Sequence, residues 1–254
     1  MGSILARRSL FGLATAAVAC PVCAAAFGAE TAHWGYEGGG GPAKWGDLSA
    51  DFRACSAGVE QTPIDLVHPV RAELGSVTVA YQKMPLKIVN NGHTIQVKAT
   101  PGSRLQINET AYELLQFHFH HPSEHLLAGK AFDLECHFVH RSAAGAFAVL
   151  GVFVQPGAAN AALTPIWQAM PAKETPEQTV PGVTVDASAL LPKDRHYFRY
   201  MGSLTTPPCS EGLTWTVFRD PVTASVEQIR AFAALFPMNA RPSQPLNRRF
   251  LLTS

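Results

Sequence analysis

Through the middle of the chain, apolar and polar residues alternate with a period of two. That pattern admits strands of a sheet whose two faces meet different surroundings. It runs through 77–81, 94–98, 105–108, 114–120, 134–140 and 147–154, with later strand candidates at 196–200 and 213–218. Helical periodicity is scarce. The clearest helix begins at Ser225, where Gln228 is placed to close a capping box, carries Ile229, Phe232, Ala233 and Phe236 on one face, and stops at Pro237. A shorter one follows Asp186 and ends near Pro192. Asn91-Gly92 predicts a tight hairpin turn. Gly38 to Gly41 has no strand before it and no helix after it, so it is expected to be a surface loop and not a phosphate cradle. The expected fold class is α+β: a single domain on a large, mostly antiparallel central β-sheet with a few short peripheral helices.

Two of the strand candidates carry chemistry. In Gln116-Phe117-His118-Phe119-His120, residues two apart share a face, so His118 and His120 point together while Phe117 and Phe119 point away. If Leu134-Glu135-Cys136-His137-Phe138-Val139-His140 is a neighbouring strand, His137 supplies a third imidazole. Three neutral nitrogens with an open fourth position suit a catalytic zinc. A His-x-His pair alone is more often two half-buried polar groups. Here Gln116 and Glu135 each sit two residues before a candidate ligand, on its face, where they can accept the second N–H of the imidazole.

The chain has 254 residues, 47% hydrophobic and only 15% charged, which suits one large domain without linkers or repeats. Formal net charge is +1, and the only basic cluster, Asn247-Arg248-Arg249, is short, so neither nucleic-acid binding nor electrostatic membrane adhesion is indicated. Residues 1–29 are expected to be an export signal: Arg7-Arg8 precedes a modest apolar run from Leu10 to Ala19, then small residues. Ser9-Leu10-Phe11 after the paired arginines hints at the twin-arginine route, and Cys20 is a weak lipid acceptor. The alanine-rich run falls short of the roughly 20 apolar residues that a membrane span requires. The catalytic domain is then expected over residues 30–254, in the periplasm or outside the cell. Removing the signal leaves Cys55, Cys136 and Cys209, which in an oxidising compartment predicts one disulfide and one spare thiol. Cys136 falls on the strand face opposite the ligands and reads as a buried thiol, leaving Cys55 with Cys209.

Further segments complete a pattern. His93 follows Asn90-Asn91-Gly92; Pro122-Ser123-Glu124-His125 follows the first ligand strand; Gly202-Ser203-Leu204-Thr205-Thr206-Pro207-Pro208 precedes Cys209. Nearer the start stand His33-Trp34-Gly35-Tyr36 and Gln61-Thr62-Pro63-Ile64-Asp65-Leu66. Together with 117–121, this ordered set closely resembles an α-class carbonic anhydrase of the exported bacterial kind, over residues 33–249.

The resemblance implies zinc on His118, His120 and His137. It implies that Gln116 and Glu135 orient His118 and His137, and that the backbone carbonyl of Asn239 holds His120. Thr205 would accept a hydrogen bond from the zinc hydroxide and donate its own proton to Glu124. His93 becomes the proton shuttle, and Tyr36 helps order water in the cavity. Val139, Val149, Leu204, Thr206, Leu213 and Trp215 line the substrate pocket. His33 is placed near the cavity mouth and His125 as a support for Glu124, while His68, His121, His140 and His196 take no part. Exported members of the family also carry a bridge at the positions of Cys55 and Cys209. One departure is visible: His121-Pro122 stands where the vertebrate pattern has Trp-Gly, so the rim there differs in shape.

Taken singly, these residues have plainer readings. Thr-Thr-Pro-Pro is ordinarily a turn, a glutamate beside a loop is ordinarily a solvated charge, and the apolar residues are ordinarily core. The implied activity is reversible hydration of carbon dioxide to bicarbonate and a proton, with weak esterase activity alongside and sulfonamide-type inhibitors binding at zinc. Two rival readings stand beside it. A non-catalytic binding module of the same fold would lack one or more ligands, whereas all three histidines are present. A zinc hydrolase of esters or peptides would use the same metal, yet no His-Glu-x-x-His helix occurs.

Overall fold

The computed structural model describes residues 32–254. The expected export signal, with Arg7-Arg8 and Cys20, lies outside the described residues. The main strands are β1 (Met84–Asn90), β2 (Ile95–Lys98), β3 (Thr110–His120), β4 (Leu134–Ser142), β5 (Phe147–Pro156), β6 (Gln178–Val185), β7 (Tyr197–Ser203) and β8 (Glu211–Phe218). They lie in the order β6-β1-β2-β3-β4-β5-β8-β7, and the short strands Leu252–Thr253 and Val70–Arg71 extend the last edge. Pairing is mostly antiparallel. The sequence of antiparallel neighbours breaks between β5 and β8, which run parallel with Val149 beside Trp215.

The central strands β4 and β5 are buried on both faces, which is why their sequences read as nearly continuous apolar runs. Period two then sorts them. Phe117, Phe119, Cys136, Phe138, Leu150 and Val152 share one buried cluster. Two helices cover that face, α1 (Thr164–Ala169) and α2 (Val226–Ala233), with the Phe119 ring 4.8 Å from that of Trp167 and 6.0 Å from that of Phe232. On the opposite face Val139, Val149, Leu213, Trp215 and Val217 belong to a second cluster beside the histidines.

The expected fold class holds, and several details differ from the sequence reading. Strand β1 buries Met84, Leu86, Ile88 and Asn90 in clean alternation, a signal masked by Pro85 and Lys87. Strand β6 is an exposed edge whose register shifts between Thr179 and Thr184; Pro181 and Gly182 are tolerated because an edge need not donate on both sides. Helix α2 has the expected capping box at Ser225 and Gln228, but it ends at Ala233, three residues short of Phe236, whose N–H turns back to the carbonyl of Phe232. The element after Asp186 is a single 3-10 turn, Ala187–Leu190, capped by the Asp186 carboxylate. Between β1 and β2 the hairpin loop spans 91–94, wider than a two-residue turn, because the Asn91 side chain accepts the N–H groups of both His93 and Thr94. The glycine run folds as a 3-10 turn, Gly38–Gly40, and a short helix, Trp45–Leu48, does follow it; the Trp45 indole donates to the carbonyls of Gly35 and Gly40 and pins the loop.

Cys55 and Cys209 are joined across 154 residues of sequence, and Cys136 is a buried free thiol. Closing so long a loop restricts the unfolded chain, which by the chain-entropy account contributes up to about 5 kcal/mol and in practice about 2–4 kcal/mol. The double variant Cys55→Ser/Cys209→Ser is therefore expected to melt roughly 5–15 °C lower by calorimetry, with the fold retained. An unchanged melting temperature would show that the bridge contributes nothing to stability.

Candidate active site

Register brings the histidines together. His118 lies directly opposite His137, and His120 opposite Glu135, in the antiparallel pairing of β3 with β4. One nitrogen from each of His118, His120 and His137 falls within 4.8 Å of the others. Each ring is turned by a separate partner: His118 Nδ1 is 2.8 Å from Gln116 Oε1, His120 Nδ1 is 2.8 Å from the Asn239 carbonyl, and His137 Nε2 is 2.9 Å from Glu135 Oε1. His120 Nε2 is buried with no hydrogen-bond partner among the described residues, and His137 Nε2, close to Glu135 Oε1, is buried without a well-aligned hydrogen bond. Burial holds all three imidazoles below their ordinary pKa, His120 down to about 4, so they are neutral at pH 7, the form that binds a cation. A convergent set of three neutral imidazoles, one with an orphaned buried nitrogen, fits zinc.

In a second grouping, His125, Glu135 and His137, the first two are already engaged in hydrogen bonds without a metal. Glu135 Oε2 accepts the backbone N–H groups of Glu124 and His125 at 2.9 and 2.8 Å, and Oε1 stands 2.7 Å from His125 Nδ1. Burial alone would raise this carboxyl; the neighbouring His125 and His137 outweigh it and hold the pKa well below the usual range. Gly151, opposite His137 in β5, leaves the room: a Cβ there would stand 2.9 Å from Glu135 Oε1. His125 thus supports Glu135 and not Glu124 as expected, and its Nε2 contacts the Tyr200 hydroxyl at 2.6 Å.

Glu124 is buried and accepts the Arg241 backbone N–H at 2.8 Å. Burial pushes its pKa up to about 7, against the lowering effects of His137, the Arg241 N–H and the Thr205 hydroxyl beside it. Its free oxygen lies 3.6 Å from His120 Nε2 and 3.7 Å from His137 Nδ1. Val139, Val149, Leu213 and Trp215 form a buried wall with Leu204 packed on it, and the Trp215 ring centre is 4.8 Å from that of His137. Thr206, next to Thr205, is half-buried.

His93 sits half-buried in the β1–β2 hairpin, stacked on Trp34 at 3.7 Å with the rings 6° from parallel. Burial and nearby His33 lower its pKa. Burial and the charge of Glu124 raise that of Tyr36, whose ring packs 5.7 Å from Trp34. Among the histidines left out of the site, His140 points to the opposite face of β4 and contacts the Tyr81 hydroxyl at 2.6 Å, and His196 pairs with Asp194 at the surface.

Two supports were not legible in the sequence. The Asn239 side chain donates to the carbonyls of His93 and Phe119 and accepts from the N–H of His121, tying the hairpin to the strand that carries His118 and His120. The buried Arg241 guanidinium donates to Gln61 Oε1 and to the carbonyls of Thr62 and Cys55. Both lie in irregular chain, where no periodicity marks a buried polar residue.

Comparison with known proteins agrees with this geometry. Residues 40–254 match the family described as eukaryotic-type carbonic anhydrase. The chain is 47% identical over 231 residues to a carbonic anhydrase of Nostoc sp., covering 88% of this chain and 87% of that protein. It is 45% identical over 242 residues to one from Pectobacterium carotovorum, covering 95% and 99%. Its backbone is similar to that of the α-carbonic anhydrase of Thermovibrio ammonificans, solved in complex with the inhibitor sulfanilamide, with a TM-score of 0.84 at 44% identity over 87% of this chain and 99% of that one. The chain belongs to the α-class, eukaryotic-type carbonic anhydrase family.

Proposed function

We propose that this chain is a zinc-dependent enzyme that interconverts carbon dioxide and bicarbonate, with His118, His120 and His137 as the metal ligands. The observation that carries the reading is the convergence of three neutral imidazoles, each oriented by its own partner: Gln116, the Asn239 carbonyl and Glu135. When bound, zinc would supply a nucleophilic hydroxide near neutral pH by lowering the pKa of its water to about 7, a value for which carbonic anhydrases are themselves the reference example.

The chain's own residues do the rest. Thr205, its proton directed at Glu124, has only lone pairs left to offer and so fixes the direction of the nucleophile. Val139, Val149, Leu204, Leu213 and Trp215 give a nonpolar gas a place to lodge, with Thr206 at its edge. His93 takes the proton released at each turnover and passes it to buffer; its lowered pKa keeps it in the accepting, neutral form at pH 7. Tyr36 helps order the intervening water. The same nucleophile supports weak esterase activity, and sulfonamides are expected to inhibit, as the sulfanilamide complex of the Thermovibrio neighbour suggests.

Residues 1–29 then direct export, leaving a catalytic domain from residue 30 onward in the periplasm or outside the cell. The Cys55–Cys209 bridge supports an oxidising location, and no described helix is long and apolar enough to cross a membrane. The binding-module alternative is disfavoured by the complete ligand set, and the hydrolase alternative predicts ester turnover that outpaces hydration.

His137→Ala is expected to lose both zinc and carbon dioxide hydration, since two imidazoles on one strand do not complete a catalytic zinc site. Elemental analysis after dialysis checks this, and stoichiometric zinc in the variant would refute the ligand assignment. Thr205→Ala is expected to retain zinc while kcat/KM for hydration falls by roughly tenfold to a hundredfold. An unchanged rate would reduce Thr205 to a turn residue. For His93→Ala, stopped-flow assays in dilute buffer should give a lower kcat with carbon dioxide attack intact, restored by added imidazole. Equal rates for both proteins in weak buffer would remove His93 from proton transfer.

A further inference from the structure

On the sheet face that alternates with the Leu213 and Trp215 wall lies a cavity of about 1000 Å³ that contains none of the three histidines or the apolar wall residues, although Tyr200, whose hydroxyl meets His125, also borders it. Arg199, Met201 and Thr214 line it from β7 and β8, with Ile107, Tyr112 and Phe250 among its apolar walls. The Arg199 guanidinium is held in place: Nε donates to Thr216 Oγ1 at 2.8 Å, and the group lies 5.0 Å over the Tyr197 ring. Its Nη2 is nevertheless buried without a hydrogen-bond partner among the described residues. A guanidinium held in a partly buried site with a donor left unpaired keeps its charge uncompensated, which favours an anion beside it.

No carboxylate answers it. The groups that act electrostatically on Arg199 are the phenols of Tyr197 and Tyr112. The cavity's one carboxylate, Glu60, acts on Arg249 instead. Arg249 directs its donors at the carbonyls of Leu246, Met201 and Pro245, and Arg248 at the rim forms no ion pair among the described residues. The cavity is therefore apolar in its walls and positive in its net charge.

We propose that this cavity binds an amphipathic organic anion, an oxyanion headgroup on the Arg199 guanidinium and an aliphatic or aromatic body against Ile107, Tyr112 and Phe250. Arg248 steers the headgroup from the rim. The cavity holds none of the proposed zinc ligands, so a sulfonamide does not occupy the same space.

Decanoate is the probe, titrated calorimetrically into the zinc-loaded protein saturated with sulfanilamide, with neutral decanamide as control. Saturable one-to-one binding of decanoate is expected, with decanamide weaker by roughly tenfold or more. Arg199→Met should weaken decanoate by a similar factor and leave decanamide and the hydration rate unchanged, while Arg199→Lys restores part of the affinity. Phe250→Glu, at a side chain 73% exposed and so dispensable for folding, should also weaken decanoate. Equal affinity for acid and amide, undiminished binding by both Arg199→Met and Phe250→Glu, or no saturable binding would overturn the proposal. So would a self-association of the chain, read by analytical ultracentrifugation, that decanoate does not perturb and Phe250→Glu abolishes, since the cavity's occupant would then be a second copy.

Discussion

One antiparallel register, His118 against His137, sets the chemistry of this molecule. A slip of one residue would exchange the two faces of β3 relative to β4 and drive the imidazoles into the phenylalanine layer. What resists it is on the other side of the sheet. Phe117 faces Phe138 in the same register, the rings 5.4 Å apart, and Phe119 is closed over by Trp167 and Phe232. Burying three phenylalanine side chains is worth roughly 5–9 kcal/mol, which is comparable to the whole stability of an ordinary domain, about 5–15 kcal/mol. The apolar face thus positions the polar one.

Two buried carboxylates behind the histidines are pushed in opposite directions by their surroundings. Glu135 meets two backbone N–H donors and two imidazoles and stays ionised. Glu124 meets one backbone N–H and a hydroxyl, and burial prevails, raising it to about 7. Several kcal/mol of desolvation for a buried charge is tolerated only where enough donors converge, and the count of donors separates the two. Glu135 thus stays a charged acceptor for the rings around it, whereas Glu124, with fewer donors, keeps its proton more readily.

How much of this was legible in the residues follows from where each signal originates. The two histidine strands read well because period two is a local property: it places His118 and His120 on one face and Glu135 with His137 on another, while bringing the two pairs together needs the tertiary pairing of the strands. The capping box at Ser225 and Gln228 reads for the same reason. Strands β1 and β6 did not, because each carries a proline that looks forbidding in sequence and is harmless beside a bulge or an edge. The partner of His125, the stacking of Trp34 on His93, and the reach of Arg241 to Cys55, Gln61 and Thr62 are tertiary facts without a local signature.

The contacts of Asn239 and Arg241 also fix when the site can exist. Their bonds to the ligand strand, to Glu124 and to the segment around Cys55 span 117 to 186 residues of sequence. Contacts of such sequence separation slow folding because their loop-closure entropy is large. During synthesis His118, His120 and His137 are all made before the two residues that clamp their surroundings, so the nascent chain carries the imidazoles while the cage around them is still missing. Closure of the cage is thereby tied to completion of the chain.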